Sequence, residues 1–500
     1  MYSDHMQSYT ACQIIDLDMS ESSDESILAS VLELDWCGKD LPHEHEWQQM
    51  KPLICDFYFW NHKLDYSYID AHVPSNYIYV GNMPPLIHEK TNSYSGGWNT
   101  GDSLYRQRSW EQIDPAARRR FKEAASDYTE IQIGGQTLRR NTNRVDDALL
   151  QHLEHWSELE QLPCLTEIQT SHCDEQLLDY LHGNPFIHRL SVRDCRMPVL
   201  DLSDTAVRIL TLFAHDMKEV RLHDQADQLY LNIMQNTPLR IEVAADGRYL
   251  SLYATTSADT GQVVPFYGLS QLHALYLHHV RTLNVATLMD RFPHLCQLTV
   301  WGAPGKVQHM EQLAQMERLQ HIHMNDLFDF TGEQFPHPDQ LPSLRSLSMN
   351  SLPAEAAKEI KKNYKKRAAA GMQVSIKRPR KPEWLAENLN NPFRDWDGRE
   401  GITATQAKKA AKAYNTLHAA IRKLNHVDES SLLPLVEQYT EAFNAMQNSR
   451  SGYIATIERE EVYTALVLLL DLADEQRHAS GHPPLQRDAL YDAFDNIRDF

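Results

Sequence analysis

A short apolar phrase recurs along the middle of this chain, and its spacing limits what the chain can fold into. It reads LPCLTEIQT at 162–170, NPFIHRLSV at 184–192, TAVRILTL at 205–212, ADQLYL at 226–231 and GRYLSLY at 247–253. It continues as LSQLHALYL at 269–277, FPHLCQLTV at 292–300, MERLQHIHM at 316–324 and LPSLRSLSM at 341–349. Measured at Ile168, Leu190, Leu210, Leu229, Leu250, Leu275, Leu298, Ile322 and Leu347, the step is roughly 19 to 25 residues. Within the phrase the apolar period changes. Phe292, Leu295 and Leu298 are three apart, which suits a bend or a helix, whereas Leu298 and Val300 are two apart, as in a strand with alternating faces. The first apolar residues therefore close one turn, and the LxL pair points two side chains of a short parallel strand into a common core. One unit cannot bury that face alone, so each must stack on the next.

The pattern resembles the leucine-rich repeat family over about residues 160–376. The resemblance implies an α/β fold, a solenoid with a parallel β-sheet, whose exposed concave face binds another protein. The chain departs from the family in two ways. The asparagine or cysteine after LxL is mostly missing, and the phrases at Leu229 and Leu250 are degraded, with TTSADTGQ (255–262) following. A doubly wound sheet would instead need longer crossovers and a glycine-rich phosphate turn, and the sequence contains no such turn.

The flanks differ in kind, and 500 residues allow roughly two to four domains. Residues 1–25, including DLDMSESSDES, read as an acidic mobile lead-in. Residues 26–158 carry the aromatic, β-favouring runs CDFYFW, YSYIDAH and NYIYVG, with PAARRRFKEAASD and VDDALLQHLEHWSELEQL reading as helix. This is a mixed α/β N-terminal domain that also caps the first repeat. The solenoid is assigned to 159–378, closed by a last helix and strand in 353–379, and a linker to 379–402, pinned by Trp384, Phe393 and Trp396. Residues 403–500 read as a C-terminal helical bundle. Thr403 and Gln406 form a capping box there, and Ala407, Ala410, Tyr414, Leu417, Ile421 and Leu424 make one apolar stripe. The phrase EWLAENLNNPFRDWDG resembles a tail of uncharacterised bacterial leucine-rich repeat proteins, which implies a bacterial source.

The net charge of −20 repels phosphate, so nonspecific binding to nucleic acid or an anionic membrane is disfavoured and a protein partner, of basic character, is favoured. The basic segment at 358–381, with KKNYKKR and KRPRK, coincides with the closing helix and strand and reads as a charged outer face. The longest apolar run, ALVLLLDLA at 465–473, is too short to span a bilayer, and no basic start leads into an apolar signal region, so a cytoplasmic location is expected. The oligomeric state is not set by the sequence.

Catalytic patterns are scarce. The sequence has no GxxxxGK[ST], GxSxG or HExxH. Seven cysteines without CxxC spacing read as reduced, mostly buried thiols. His43 and His45, with Cys37 nearby, could supply ligands to a metal, but histidine and glutamate alternating before Trp47 read as a solvated strand edge or loop, and His321 with His323 share a strand face without an evident third ligand, so no metal and no cofactor are expected. Some bacterial leucine-rich repeat proteins carry a helical ubiquitin ligase that needs a nucleophilic cysteine, and no cysteine follows Cys296 here. The chain is therefore read as a non-enzymatic recognition module, a defence or stress adaptor or a toxin inhibitor. The alternative is an enzyme whose active site lies in residues 26–158, where Tyr77, Tyr79 and Arg118, Arg119 and Arg120 could serve a nucleotide. For recognition, strand alternation turns Tyr230, Tyr249, Tyr253, Tyr276, His278, Trp301, His321 and His323 away from the core. An exposed face has no packing need for so many aromatics, so Tyr253, Tyr276 and Trp301 are expected to form one partner-binding band, edged by His278 and His323.

Overall fold

The computed structural model describes every residue except 4–5, 19–26, 75, 234–236, 257–265, 389–390, 425, 449–452 and 480. Most of the acidic serine-rich run and of TTSADTGQ lie outside the described residues. The chain divides into two compact units, residues 1–349 with 359–375, and residues 350–358 with 376–500.

The recurring phrase builds an eleven-stranded sheet whose order in space follows the order in the chain. Its strands are Arg144–Val145, Glu167–His172, Arg189–Cys195, Ile209–Ala214, Gln228–Ile233, Ser251–Thr256, Ala274–Asn284, Gln297–Gln308, His321–Phe328, Ser346–Asn350 and Gln373–Lys377. From Arg144–Val145 to His321–Phe328 the pairing is parallel. One buried row runs through Ile168, Leu190, Leu210, Leu229, Leu252, Leu275, Leu298 and Ile322. Two residues on, a second buried row runs through Val192, Leu212, Leu231, Ala254, Leu277, Val300 and Met324. Each large aliphatic side chain withdrawn from water this way contributes about 1.5–3 kcal/mol, and adjacent rungs supply the burial no single rung could.

One register differs from the expectation. Leu252, not Leu250, stands beside Leu229 and Leu275. Leu250, Leu252 and Ala254 share the same parity, so a slip of two residues keeps every side chain on its face and is invisible to an alternation argument.

Between successive rungs from Arg189–Cys195 to Ala274–Asn284, the chain crosses to a second, four-stranded parallel sheet of Val199–Asp201, Glu219–Arg221, Leu239–Glu242 and Phe266–Tyr267. These strands are so short that each offers one or two buried side chains, such as Leu200, Val220 and Ile241. That is too little for a period to register in sequence. The core of this part lies between the two sheets.

At the N-terminal end, Tyr2–Ser3, Ser8–Asp18, Leu28–Gly38 and Tyr66–Asp70 form an antiparallel sheet. Residues 8–18 are thus a paired strand and not a mobile lead-in. The β-favouring TACQII precedes the acidic run and finds its partner in LASVLEL. The expected helix over VDDALLQHLEHWSELEQL is broken into Asp147–Leu150 and a 3-10 turn at Trp156–Gln161, and its first residue, Val145, belongs instead to strand Arg144–Val145, which pairs with Glu167–His172. Helices Asp102–Gln112 and Pro115–Ala125 supply Trp110 and Phe121, which pack on Phe186 of the first repeats with ring centroids 5.7 and 5.0 Å away. That apolar cluster also holds Cys164, so the N-terminal elements and the start of the repeats share a core.

The second unit contains helices Ala404–Lys423, Glu429–Gln447, Thr456–Ala479 and Asp488–Ile497. The Thr403 hydroxyl accepts from the Gln406 amide at 3.3 Å, and the Gln406 side chain accepts from the Thr403 amide at 2.7 Å, closing the capping box. Residues 379–402 are not a bare linker. They form helix Pro382–Asn388 and a 3-10 turn, and Phe393 and Trp396 are fully buried among the bundle helices. The Trp396 indole donates to Glu461 at 2.6 Å, and Arg399 bridges Glu458 and Glu461. Asn and Pro content signalled a break in the helix but not the burial of the two aromatics between the breaks.

Candidate functional site

On the long sheet the residues between the two buried rows must face away from the core. Register sets Tyr230, Tyr253 and Tyr276 side by side. The strand spacing then brings their rings face to face, with centroids 4.5 Å apart at 12° for Tyr230 and Tyr253 and 4.1 Å apart at 10° for Tyr253 and Tyr276. All three are half-buried. The Tyr230 hydroxyl donates to Gln228 at 3.1 Å. Burial first, and Tyr276 second, push the Tyr253 hydroxyl up to about 12, while burial raises Tyr230 and Tyr276 as well, so the stack is neutral through the physiological range.

Beyond Tyr276 the same row holds Thr299 and then His323. Thr299 is short and buried, and the aromatic surface passes at this rung to the next outward row. There His278 meets Trp301 at 5.1 Å, and Trp301 meets His323 at 6.2 Å. Burial holds His278 and His323 below the usual histidine value, which favours neutral imidazoles that can donate and accept. Trp301 is 45% exposed, a large apolar surface facing solvent.

The structure brings Tyr230, Tyr253 and Tyr276 into one stack and His278, Trp301 and His323 into one cluster. His321 lies in another row, beside Gln297, and is exposed. Tyr249 does not join the band. It occupies a turn ahead of the strand Ser251–Thr256, where Gln7 donates to its hydroxyl at 3.4 Å. The two-residue slip in GRYLSLY accounts for the difference. Sequence reasoning also missed that the strands at this end are long and bulged, with register shifts at Leu277/Val280 and at Trp301/Gly305.

The N-terminal region holds a second concavity of about 780 Å³, whose lining includes Glu33, Asp65, Asp102, Arg106, Lys63 and Trp60. Glu33 is 5% exposed and accepts from the Gly101 and Leu104 amides at 2.9 and 3.0 Å. Burial, with Asp65 adding repulsion, overcomes those two hydrogen bonds and pushes its carboxyl up to about 8. The residues weighed for a nucleotide lie on separate elements. Tyr77 accepts from the Thr100 amide and meets the Trp98 ring edge-on, Tyr79 is 83% exposed, and Arg118, Arg119 and Arg120 sit on helix Pro115–Ala125. His43 and His45 stack on one another at 5.9 Å around the short helix Glu44–Trp47. Among the described residues no three His, Cys, Asp or Glu side chains converge as metal ligands, and no helix is long and apolar enough to cross a membrane.

No protein-family model matches the chain, and no curated protein matches it. Among solved structures, a crystal structure of an LRIM1/APL1C complex is similar to it at 12% identity and a TM-score of 0.25, covering 74% of this chain and 85% of that one. A TM-score of that size establishes no shared fold.

Proposed function

We propose that this chain is a leucine-rich repeat protein whose solenoid binds a partner protein through the outward face of its long sheet. The observation that carries the reading is the aromatic surface running from Tyr230 through Tyr253 and Tyr276 to His278, Trp301 and His323. Tyr and Trp are the side chains that most often anchor protein interfaces, because they offer apolar area with a hydrogen-bonding tip and lose little conformational freedom. Stacking has already ordered three of them, so binding need not. The charge of −20 complements a basic partner. On this reading the chain acts without catalysis, as an adaptor or a toxin inhibitor in a bacterial cytoplasm. The competing reading, an enzyme in residues 26–158, would draw on Glu33, but the two amides that Glu33 satisfies at a helix start explain its burial without catalysis.

The test is affinity capture from the source organism, followed by titration of the captured protein against the wild type and a Tyr276→Ala/Trp301→Ala variant. Loss of two anchors is expected to weaken binding by about 2 kcal/mol or more each, on the order of thirtyfold per residue. A partner that binds the double variant as tightly as the wild type would place recognition off this face.

A further inference from the structure

Strands Glu167–His172 and Arg189–Cys195 run parallel and in register, with Ile168 beside Leu190, Thr170 beside Val192 and His172 beside Asp194. The next residue on each chain segment is a cysteine, Cys173 and Cys195. Neighbouring strands lie about 4.8 Å apart, inside the Cα separation of roughly 4.4–6.8 Å that a disulfide tolerates. Both thiols are free, and each follows directly on the last paired residues of the two strands, His172 and Asp194. Cys195 is fully buried, with Ala214 beside it on the next strand, whereas Cys173 is half-buried and open to solvent on one side.

The other buried thiols are Cys55 and Cys164. Cys55 and Cys164 are each held protonated by burial, pushed up to about 12 and about 11, and the Cys164 thiol donates to the Phe121 carbonyl at 3.3 Å. The Cys173 and Cys195 sulfurs act on one another, and their interaction pushes Cys173 above the ordinary thiol value and holds Cys195 below it. Of the two sulfurs, Cys173 is the accessible one.

We propose that Cys173 and Cys195 are a redox modification site, closing to a disulfide under a peroxide oxidant and reopened by a dithiol. The Cys173 sulfur attacks the peroxide O–O bond, forming S–OH while hydroxide leaves and takes the thiol proton as water. The Cys195 sulfur then attacks the Cys173 sulfenic sulfur, so the S–S bond forms and the S–O bond breaks. The departing hydroxide takes the Cys195 proton as a second water. Two thiols lose two electrons and two protons, and one hydrogen peroxide accepts both. The product ties the ends of two neighbouring rungs and closes a loop around helix Glu175–Gly183. The proposal is independent of what the outward face binds.

Full-length protein carrying Cys37→Ser, which removes the exposed thiol, is treated with hydrogen peroxide, alkylated, and digested without reduction. One cross-linked peptide pair containing Cys173 and Cys195, lost on treatment with dithiothreitol, is the expected result. Alkylation of both thiols after peroxide and unfolding, or a Cys173 sulfinic acid with Cys195 still free, would overturn the proposal. In the same background Cys195→Ser removes the resolving sulfur, so dimedone is expected to label Cys173 there and not in the parent. Equal labelling of both proteins would also overturn it. If Cys195→Ser fails to fold, the peptide map of the parent decides alone.

Discussion

Leu298 and Trp301 are three residues apart on one strand, an odd step that sends them to opposite faces: Leu298 is fully buried and Trp301 is 45% exposed. Leu298→Ala is expected to cost about 2–5 kcal/mol by urea unfolding, because a packed row cannot close over the missing atoms. Trp301→Ala should cost less than about 1 kcal/mol, and equal losses would contradict the assignment of faces. Within the tyrosine stack, Tyr253 contacts a ring on both sides, whereas Tyr230 and Tyr276 each have one tyrosine neighbour. At about 0.5–1.5 kcal/mol per ring pair, Tyr253→Leu should destabilise by roughly twice as much as Tyr230→Leu. Matching midpoint shifts for the two would mean that stacking adds nothing beyond burial. Alternation made the outward identity of Tyr253, Tyr276 and Trp301 legible in the sequence. It could not separate Leu250 from Leu252, which is why Tyr249 was misplaced, and the ring contacts depend on cross-strand register that no local window contains.

Helix Asp102–Gln112 shows what an element can require from far along the chain. Its N-cap is Gly101, at a φ of 99°, and glycine has no side-chain oxygen to satisfy the first amides. Glu33, on strand Leu28–Gly38, accepts from two of them instead. Nothing near residue 101 signals this, so the helix start was unreadable, while Asp114 and Pro115 mark the following helix plainly. Glu33→Ala should cost about 1–3 kcal/mol for each amide left unsatisfied. Glu33→Gln keeps an acceptor and removes the titration. The folded chain holds the Glu33 proton up to about 8, whereas the unfolded chain releases it near 4.5, so across that window the folded state binds more protons and its stability falls as pH rises. The Tm of the wild type is therefore expected to drop relative to Glu33→Gln between pH 5 and 8, and parallel Tm curves would show that Glu33 is ionised in the fold.

For the whole molecule, the recurring phrase at roughly 19 to 25 residues made the long sheet legible, since every rung repeats the same LxL pair. The second parallel sheet was not, because strands such as Val199–Asp201 and Glu219–Arg221 are too short to carry a period. The boundary of the second unit was misread for a related reason: Phe393 and Trp396 are isolated aromatics among Asn, Asp and Pro, and only packing shows that they complete the helical core. The Trp396 ring centroid lies 4.9 Å from Phe393, 6.0 Å from Tyr453 and 6.3 Å from Phe443. Where the chain is cut should therefore matter more than how much is removed. A fragment of residues 1–399 keeps both aromatics and loses every long helix they pack on, which leaves two large rings bare to solvent. A fragment of residues 1–381 keeps the segment 376–381, whose Arg380 amide donates to Leu352 at 2.8 Å and whose carbonyl accepts from Ala354 at 2.8 Å, and ends before either aromatic. The shorter fragment is expected to be monodisperse by light scattering and to unfold in one cooperative step, because the repeats are stabilised by their neighbours. The longer one should aggregate unless Phe393 and Trp396 are both changed to Ser. Aggregation of both fragments alike would mean that the first unit needs the helical unit for its own folding.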